Sequence, residues 1–246
     1  MLKPANSKII KSLFTFSMLL ALTACGAGNG HLPDEPDNEP TLTETNGENL
    51  QSRPPVVKAP SFTQNEAFRI LSKYDHVDPK HQIRDSLLRA ALLFYDQNAS
   101  MIKNKAFLSV IDFSLSSKQA RFFIIEMKSG SVWAIHTAHG KGSDANGDGM
   151  AEKFSNTSGS DASSIGFYLT AETYSGKHGL SLRMDGLSST NSNVRARAVV
   201  IHGASYVQEA SVIQGRSWGC PAVTMTNRDR VVNSLKGGSL IYANKN

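Results

Sequence analysis

The chain has 246 residues, 40% apolar and 19% charged, a globular composition that excludes disordered and collagen-like classes. Its two cysteines, Cys25 and Cys220, exclude a disulfide-stapled mini-domain and a zinc ribbon built on cysteine alone. The net charge of +5 comes from singly scattered Lys and Arg without a basic run, so no nucleic-acid partner is expected.

In chain order, the first element is an address. Lys3, Lys8 and Lys11 precede an apolar stretch, residues 13–22, that is too short to span a bilayer. It ends in Leu22-Thr23-Ala24-Cys25, which resembles the lipobox of bacterial lipoproteins. Residues 1–24 are therefore expected to be a signal peptide and Cys25 the lipidated first residue of the mature chain; a plain signal peptide is the alternative. Position 26 is Gly rather than Asp, which in Gram-negative sorting favours the periplasmic face of the outer membrane. Residues 25–60 hold Asp34, Glu35, Asp37 and Glu39 and then Pro54, Pro55 and Pro60, and read as a disordered acidic, Pro-rich tether with an rms span of about 30–35 Å. That leaves residues 61–246, net charge +6, for one folded domain.

This domain reads as helical over 61–104 and β-rich over 105–246. Thr63 and Glu66 form a capping box ahead of Ala67, Phe68 and Leu71 at helical spacing. Asp78-Pro79 predicts a second helix start, and Ile83, Leu87, Ala91 and Phe94 follow at helical steps, with Leu87 and Phe94 in the core. Beyond residue 105 the period drops to two. Phe107, Ile111, Phe113 and Leu115 are expected on one face, and 121–128 pairs with 131–137 through Ser129-Gly130. Residues 140–165 are expected as a long surface loop. Strand pattern returns at 166–170, 180–184, 198–202 and 240–243, and Thr226-Asn227 opens a short helix closed by Gly237-Gly238. The expected class is α+β, mainly β, with N-terminal helices packed on an antiparallel β core.

With Cys25 lipidated, Cys220 is a lone thiol in an oxidising compartment. Gly219 lets the backbone before it turn tightly, so that amide N–H groups can point at a substrate carbonyl, and Pro221 fixes the chain direction after it. Upstream, an apolar strand delivers His202 at its end beside Gly203, well placed to face a cleft. A thiol with a pKa of about 8.5 is mostly protonated near neutrality, and a paired imidazole lowers that value. From the residues alone, a Cys–His nucleophile and a buried inert cysteine both remain open.

Ile201-His202-Gly203 followed by Ser217-Trp218-Gly219-Cys220 resembles the signature of YkuD-type L,D-transpeptidases, His-Gly and then Ser-x-Gly-Cys, and the 18-residue interval fits. Phe154-Ser155-Asn156, Ser163-Ser164-Ile165-Gly166, Gly176-Lys177-His178-Gly179-Leu180 and residues 215–223 are similar to the murein L,D-transpeptidase catalytic-domain branch. The likeness runs from about Phe107 to the C-terminus. It departs from the main family at Trp218, where many members have histidine, and at Pro221-Ala222-Val223, which lacks the usual arginine. The resemblance implies a YkuD-like β core with Cys220 as nucleophile, His202 as base and the Gly203 carbonyl orienting the imidazole. It implies an oxyanion hole from the amides of Gly219 and Cys220, with Trp218. The implied chemistry is a thioester acyl-enzyme on a peptidoglycan stem peptide, resolved by an amine (a cross-link or D-amino-acid exchange) or by water.

Ser217, Ser164, Tyr168, His178 and Arg197 are candidates for substrate contact, and Arg195 and Arg197 could meet a stem-peptide carboxylate or be a solvated face. Asp144-Ala-Asn146-Gly-Asp148-Gly149 opens like an EF-hand, but Ser155 stands where the bidentate Glu is required, so whether it holds a cation is left open. His136, His139 and His178 could ligate zinc only if the strand bends. No metal or cofactor is expected, and the domain is expected to be a monomer. The rival readings are an L,D-carboxypeptidase or cysteine peptidase using the same dyad, a non-catalytic peptidoglycan-binding lipoprotein, and a calcium-dependent adhesion module. Papain-like order, Cys before His, is reversed here.

Overall fold

Helix α1 (Gln64–Leu71) starts at the expected capping box: Glu66 N–H donates to Thr63 Oγ1 at 3.3 Å, and Thr63 N–H donates to Glu66 Oε2 at 2.9 Å. The computed structural model describes residues 32–34 and 54–246. The expected signal peptide 1–24, Cys25 and most of the expected tether lie outside these residues. Among the described residues no helix is long and apolar enough to cross a membrane. Phe68, at helical spacing on α1, is 74% exposed and belongs to no core.

Asp78 does not open a helix. It sits at φ +53°, and its carboxylate accepts the amides of Gln82 at 3.0 Å and Ile83 at 2.8 Å. Those amides lie four and five residues on, beyond the two or three an N-cap reaches, so the chain closes a wider turn. Helix α2 begins later (Asp85–Gln97) and buries Leu87, Ala91, Leu92, Phe94 and Tyr95.

Eight strands form one sheet: β1 (Phe107–Asp112), β2 (Phe122–Glu126), β3 (Val132–Ile135), β4 (Gly166–Gly176), β5 (Gly179–Gly186), β6 (Val200–Ala204), β7 (Val223–Thr224) and β8 (Leu240–Asn244). The order is β3-β2-β1-β8-β4-β5-β6-β7. Most neighbours are antiparallel as expected, but β1–β8 and β6–β7 run parallel. The class is α+β, mainly β. The hairpin joining β2 and β3 turns at Gly130, with Phe122 opposite Ile135.

Both faces of the sheet are covered, which is why its strands read as apolar runs rather than clean alternation. Leu108, Val110, Phe123, Ile125, Leu240 and Tyr242 pack against α2; their strand neighbours Ile111, Phe122, Ile124, Ile241 and Ala243 join the opposite core with helix α3 (Met225–Leu235). Leu115 packs with the α2 core and not with Ile111 and Phe113, against the one-face expectation. Helix α3 is capped by Thr224 rather than opened at Thr226-Asn227: Asn227 N–H donates to Thr224 Oγ1 at 3.2 Å.

Residues 140–165 hold no strand, as expected, and are a surface loop only in part: Ala145, Asn146, Asp148, Glu152, Lys153 and 157–159 are exposed, while Ser143, Asp144, Ala151, Ala162, Ser163 and Ser164 are buried. Part of the acidic segment also lies against the domain. Leu32 N–H donates to Ile213 O at 3.0 Å, and Asp34 accepts the Arg216 backbone N–H at 3.0 Å and its Nη2 at 2.7 Å. Gly215 admits this approach, since a Cβ there would lie 1.9 Å from Pro33 O.

Candidate active site

Residues 217–220 are held from two sides. On one side runs the continuation of β3: Ser217 N–H donates to His139 O at 2.8 Å, Lys141 N–H to Ser217 O at 2.7 Å, and Ala138 N–H to Ala222 O at 2.9 Å. On the other, β7 follows Cys220 directly and pairs with β6, Val223 opposite Gly203. Within the turn, Ser217 Oγ donates to Cys220 O at 2.7 Å and accepts Gly219 N–H at 3.1 Å. Ser217 is fully buried and builds the turn; it does not face substrate. Gly219 sits at φ +117°, and a Cβ there would lie 2.8 Å from Ala162 O, so this position demands glycine. Its amide, expected in the oxyanion hole, is turned onto Ser217 instead.

Cys220 is partly buried and its Sγ lies at the head of β6. Val200 N–H donates to Sγ at 3.4 Å, and the thiol lies 3.8 Å from Ala198 O. Ala198 adopts φ +52°, a left-handed conformation rare for a residue with a Cβ, and this turn aims both groups at the sulfur. Two residues along the strand, His202 is fully buried and its Nδ1 lies 3.1 Å from Gly203 O. A carbonyl only accepts, so Nδ1 carries the proton and the Nε2 lone pair is the basic one. His202 therefore lies in the middle of β6, not at its end as expected, with Cys220 Sγ against Val200 at the start of the strand and the Gly203 carbonyl on the His202 ring.

The His178 ring stacks on His202, with centroids 4.2 Å apart and planes at 30°. Trp218 flanks the turn with Lys141 Nζ 4.9 Å from its ring centroid. Tyr174, half-buried nearby, has its hydroxyl pushed up by burial and by the Cys220 charge.

Three candidates for substrate contact are engaged elsewhere. Ser164 is buried, donating to Ser155 O at 2.8 Å and accepting Arg197 Nη1 at 2.7 Å. Tyr168 is a core residue whose hydroxyl donates to Ser164 O at 2.6 Å. Arg197 donates to the carbonyls of Ser155 and Ala162, each at 2.7 Å, and so clamps the 155–162 segment rather than offering its fork to a carboxylate. Arg195 is bound to Asp185 and Glu172, which hold its guanidinium above its ordinary range. The two arginines are thus neither a free anion site nor a solvated face.

The Asp144 loop spends its carboxylates on its own backbone. Asp144 accepts Asp148 N–H at 3.1 Å, Gly149 N–H at 3.0 Å and His139 Nε2 at 3.1 Å. Among the described residues no group of His, Cys, Asp or Glu is arranged to hold a metal. The three histidines weighed as zinc ligands are apart: His136 is on Glu209, His139 between Arg121 and Asp144, His178 on His202.

Sequence reasoning missed what supports the Cys220 loop. Arg121 is fully buried, donating to Thr137 O at 3.0 Å and, through Nη2, to His139 Nδ1 at 2.7 Å. Arginine only donates, so His139 is neutral with its proton on Nε2, which it gives to Asp144. Burial and the Arg121 charge pull His139 down to about 4, and burial brings Arg121 down to about 9. Ser163 ties the two loops, accepting Gly140 N–H at 3.0 Å and donating to Gly219 O at 3.2 Å.

His136 anchors the segment ahead of Cys220 with a charge. Its Nδ1 meets Glu209 Oε2 at 2.8 Å and its Nε2 meets Lys118 O at 3.1 Å; both partners accept, so the ring carries two protons. The bond to Glu209 raises the His136 pKa. Glu209 is lowered, its bonds to His136 outweighing burial. A raised histidine stabilises fully below its unfolded value of about 6.5, and loses that contribution as pH rises through the folded value. Glu209 contributes above about 4.3 and loses its share on acidification. His136→Gln should therefore lower the melting temperature more near pH 5.5 than near pH 9 by calorimetry. An equal loss at both pH values would refute a charged clamp.

Residues 79–244 match the family described as the L,D-transpeptidase catalytic domain. No curated protein matches the chain. Among solved structures, the L,D-transpeptidase LdtMt1 in complex with imipenem aligns at 15% identity and TM-score 0.35, covering 56% of this chain and 59% of that one. The L,D-transpeptidase of Xylanimonas cellulosilytica aligns at 15% and 0.33, covering 58% and 62%. The helical cell shape determining protein Pgp2 of Campylobacter jejuni aligns at 11% and 0.37, covering 59% and 49%. The aligned part spans less than two-thirds of each of these chains.

Proposed function

This chain belongs to the L,D-transpeptidase catalytic-domain family, and from that premise we propose that it is a lipid-anchored cysteine transpeptidase acting on peptidoglycan stem peptides through a thioester on Cys220. The observation that carries the reading is the arrangement along β6. Cys220 Sγ receives Val200 N–H at 3.4 Å, while His202, two residues on, has its Nδ1 proton committed to Gly203 O at 3.1 Å. The backbone N–H favours the thiolate, and the tautomer leaves Nε2 to take the thiol proton.

The thiolate then attacks the carbonyl carbon of the L-centre third residue, forming the C–S bond. The oxyanion is assigned to the backbone amides of the Cys220 turn, among which Gly219 N–H is bonded to Ser217 Oγ and would have to turn from it. The C–N bond to D-Ala breaks, and D-Ala leaves with the proton from the His202 imidazolium. An acceptor amine attacks the thioester, loses a proton to His202 and releases the thiolate, giving a cross-link or an exchanged terminal D-amino acid; water in its place gives a tripeptide. No cofactor enters any step.

The anchor is Cys25 after removal of residues 1–24, at the periplasmic face of the outer membrane, with the protein acting as a monomer. The Leu32 and Asp34 contacts shorten the tether: the seven steps from Cys25 to Leu32 span at most about 25 Å, so the docked domain works close to the membrane.

The test is mass spectrometry of the protein incubated with a disaccharide-tetrapeptide. An adduct on Cys220 with release of D-Ala is expected, and dimer against tripeptide products then separate cross-linking from carboxypeptidase activity. A folded protein that forms neither adduct nor product would sink the catalytic reading in favour of a wall-binding lipoprotein.

A further inference from the structure

We propose that His178 is a positioning residue for the active-site base, its ring packed face to face on His202 so that the imidazole is held in the plane of its bond to Gly203. This rests on the reading of Cys220 and His202 as a dyad. The two rings lie 4.2 Å apart at 30°, and His178 occupies the two-residue connection between Gly176 and Gly179, which pair across the β4–β5 hairpin. Ser181, three residues further on, pairs with His202, so the hairpin tip is fixed within reach of that ring. The Arg228 side chain packs on the same assembly: Nη1 would lie 2.9 Å from a Cβ at Gly179, and Cδ 3.0 Å from one at Gly203. The tip is thus a built part of the site and not a loose turn.

The physical need is specific. The hydrogen bond at Nδ1 fixes the tautomer and one direction of the ring. A flat ring against its face fixes its plane as well, as an orienting third group does in nucleophile–base pairs. The other ionisable and charged groups around the pair are Cys220, Tyr174 on β4, Arg183 on β5 opposite Val200, Lys177 on the tip and Arg228 on α3. Among these, His178 makes the ring-on-ring contact.

The experiment compares the full chain with His178→Ala and His178→Phe, folding checked by circular dichroism. The readouts are the rate of Cys220 alkylation by iodoacetamide near neutral pH, resolved from Cys25 by peptide mass, and turnover of a disaccharide-tetrapeptide. His178→Ala should slow alkylation and kcat about tenfold with KM little changed, and His178→Phe, which keeps a flat face, should recover to within about threefold of wild type. Wild-type rates in His178→Ala, or a Phe variant as slow as Ala, would overturn the proposal. Two further results separate it from the reading beneath it. If His202→Ala left Cys220 alkylation unchanged, the dyad and this proposal would both fall. If the wild type turned over no muropeptide while alkylation still followed His202 and His178, the positioning role would stand and the substrate assignment would fail.

Discussion

Cys220→Ala should reduce muropeptide turnover by at least about three orders of magnitude while the protein melts within a few degrees of wild type. Both halves of this expectation come from the same geometry. In the proposed mechanism the sulfur is the acyl carrier, and the hydroxyl in the same turn cannot take its place: Ser217 Oγ is buried between Cys220 O and Gly219 N–H. The fold, by contrast, asks little of the side chain. The turn is held by backbone bonds to His139 and Lys141 and by the glycine at 219, none of which involves Sγ. What folding loses is the weak acceptor for Val200 N–H. Binding of a tetrapeptide should survive, because the cleft walls are unchanged. A Cys220→Ala protein with wild-type product formation would end the thioester mechanism; one that fails to fold would mean that the sulfur packs the loop.

The second large effect falls on stability. Asp144→Asn should cost about 3 kcal/mol, the upper part of the range for leaving buried hydrogen-bonding groups unsatisfied. For a chain of this size that corresponds to a drop in melting temperature of roughly 10 °C. Arg121 is entirely buried, and its countercharge, Asp144, is reached through the neutral His139 ring. Asp144 receives three donors: two backbone amides and His139 Nε2–H. An asparagine removes the charge and points an NH2 group at donors, so Arg121 loses one of the two carboxylates that offset its burial, Asp112 being the other, and at least one hydrogen bond is lost. Activity should fall as well, because the His139 carbonyl receives the Ser217 N–H of the Cys220 turn. Pairing the change with Arg121→Met should recover part of the loss, the two sites being coupled. Thermal denaturation of the single and double variants decides the matter, and an Asp144→Asn protein melting within 1 °C of wild type would show that the relay carries no net stability.

The two predictions differ in how visible their residues are from sequence. Cys220, His202 and Gly203 stand out as candidates because their cues are local: a glycine before the thiol, a proline after it, and an apolar run leading into histidine and glycine. Asp144 is legible only as a Gly/Asp-rich turn, which suggests a cation. Its actual partner, Arg121, lies 23 residues earlier on the far side of a histidine, and nothing in the spacing connects them. Ala198 and Val200 carry no signal at all, since an alanine at positive φ looks like any other alanine. Arg195 and Arg197 show the opposite error. They read as a pair of similar arginines, yet one is bound to carboxylates and the other to carbonyls, a distinction set by the loops that fold over them.

The sequence by itself determined the capped first helix, the β2–β3 hairpin and the strand segments, because each depends on neighbours within a few positions. Only the tertiary structure decided the sheet order with its two parallel pairs, the partial burial of residues 140–165, the docking of Asp34 on Arg216, and the stacking of His178 on His202. Those features join segments tens to more than a hundred residues apart. Their energy comes from burial and from pairing charges and hydrogen bonds in a shared interior, and that interior exists only once the whole sheet is formed.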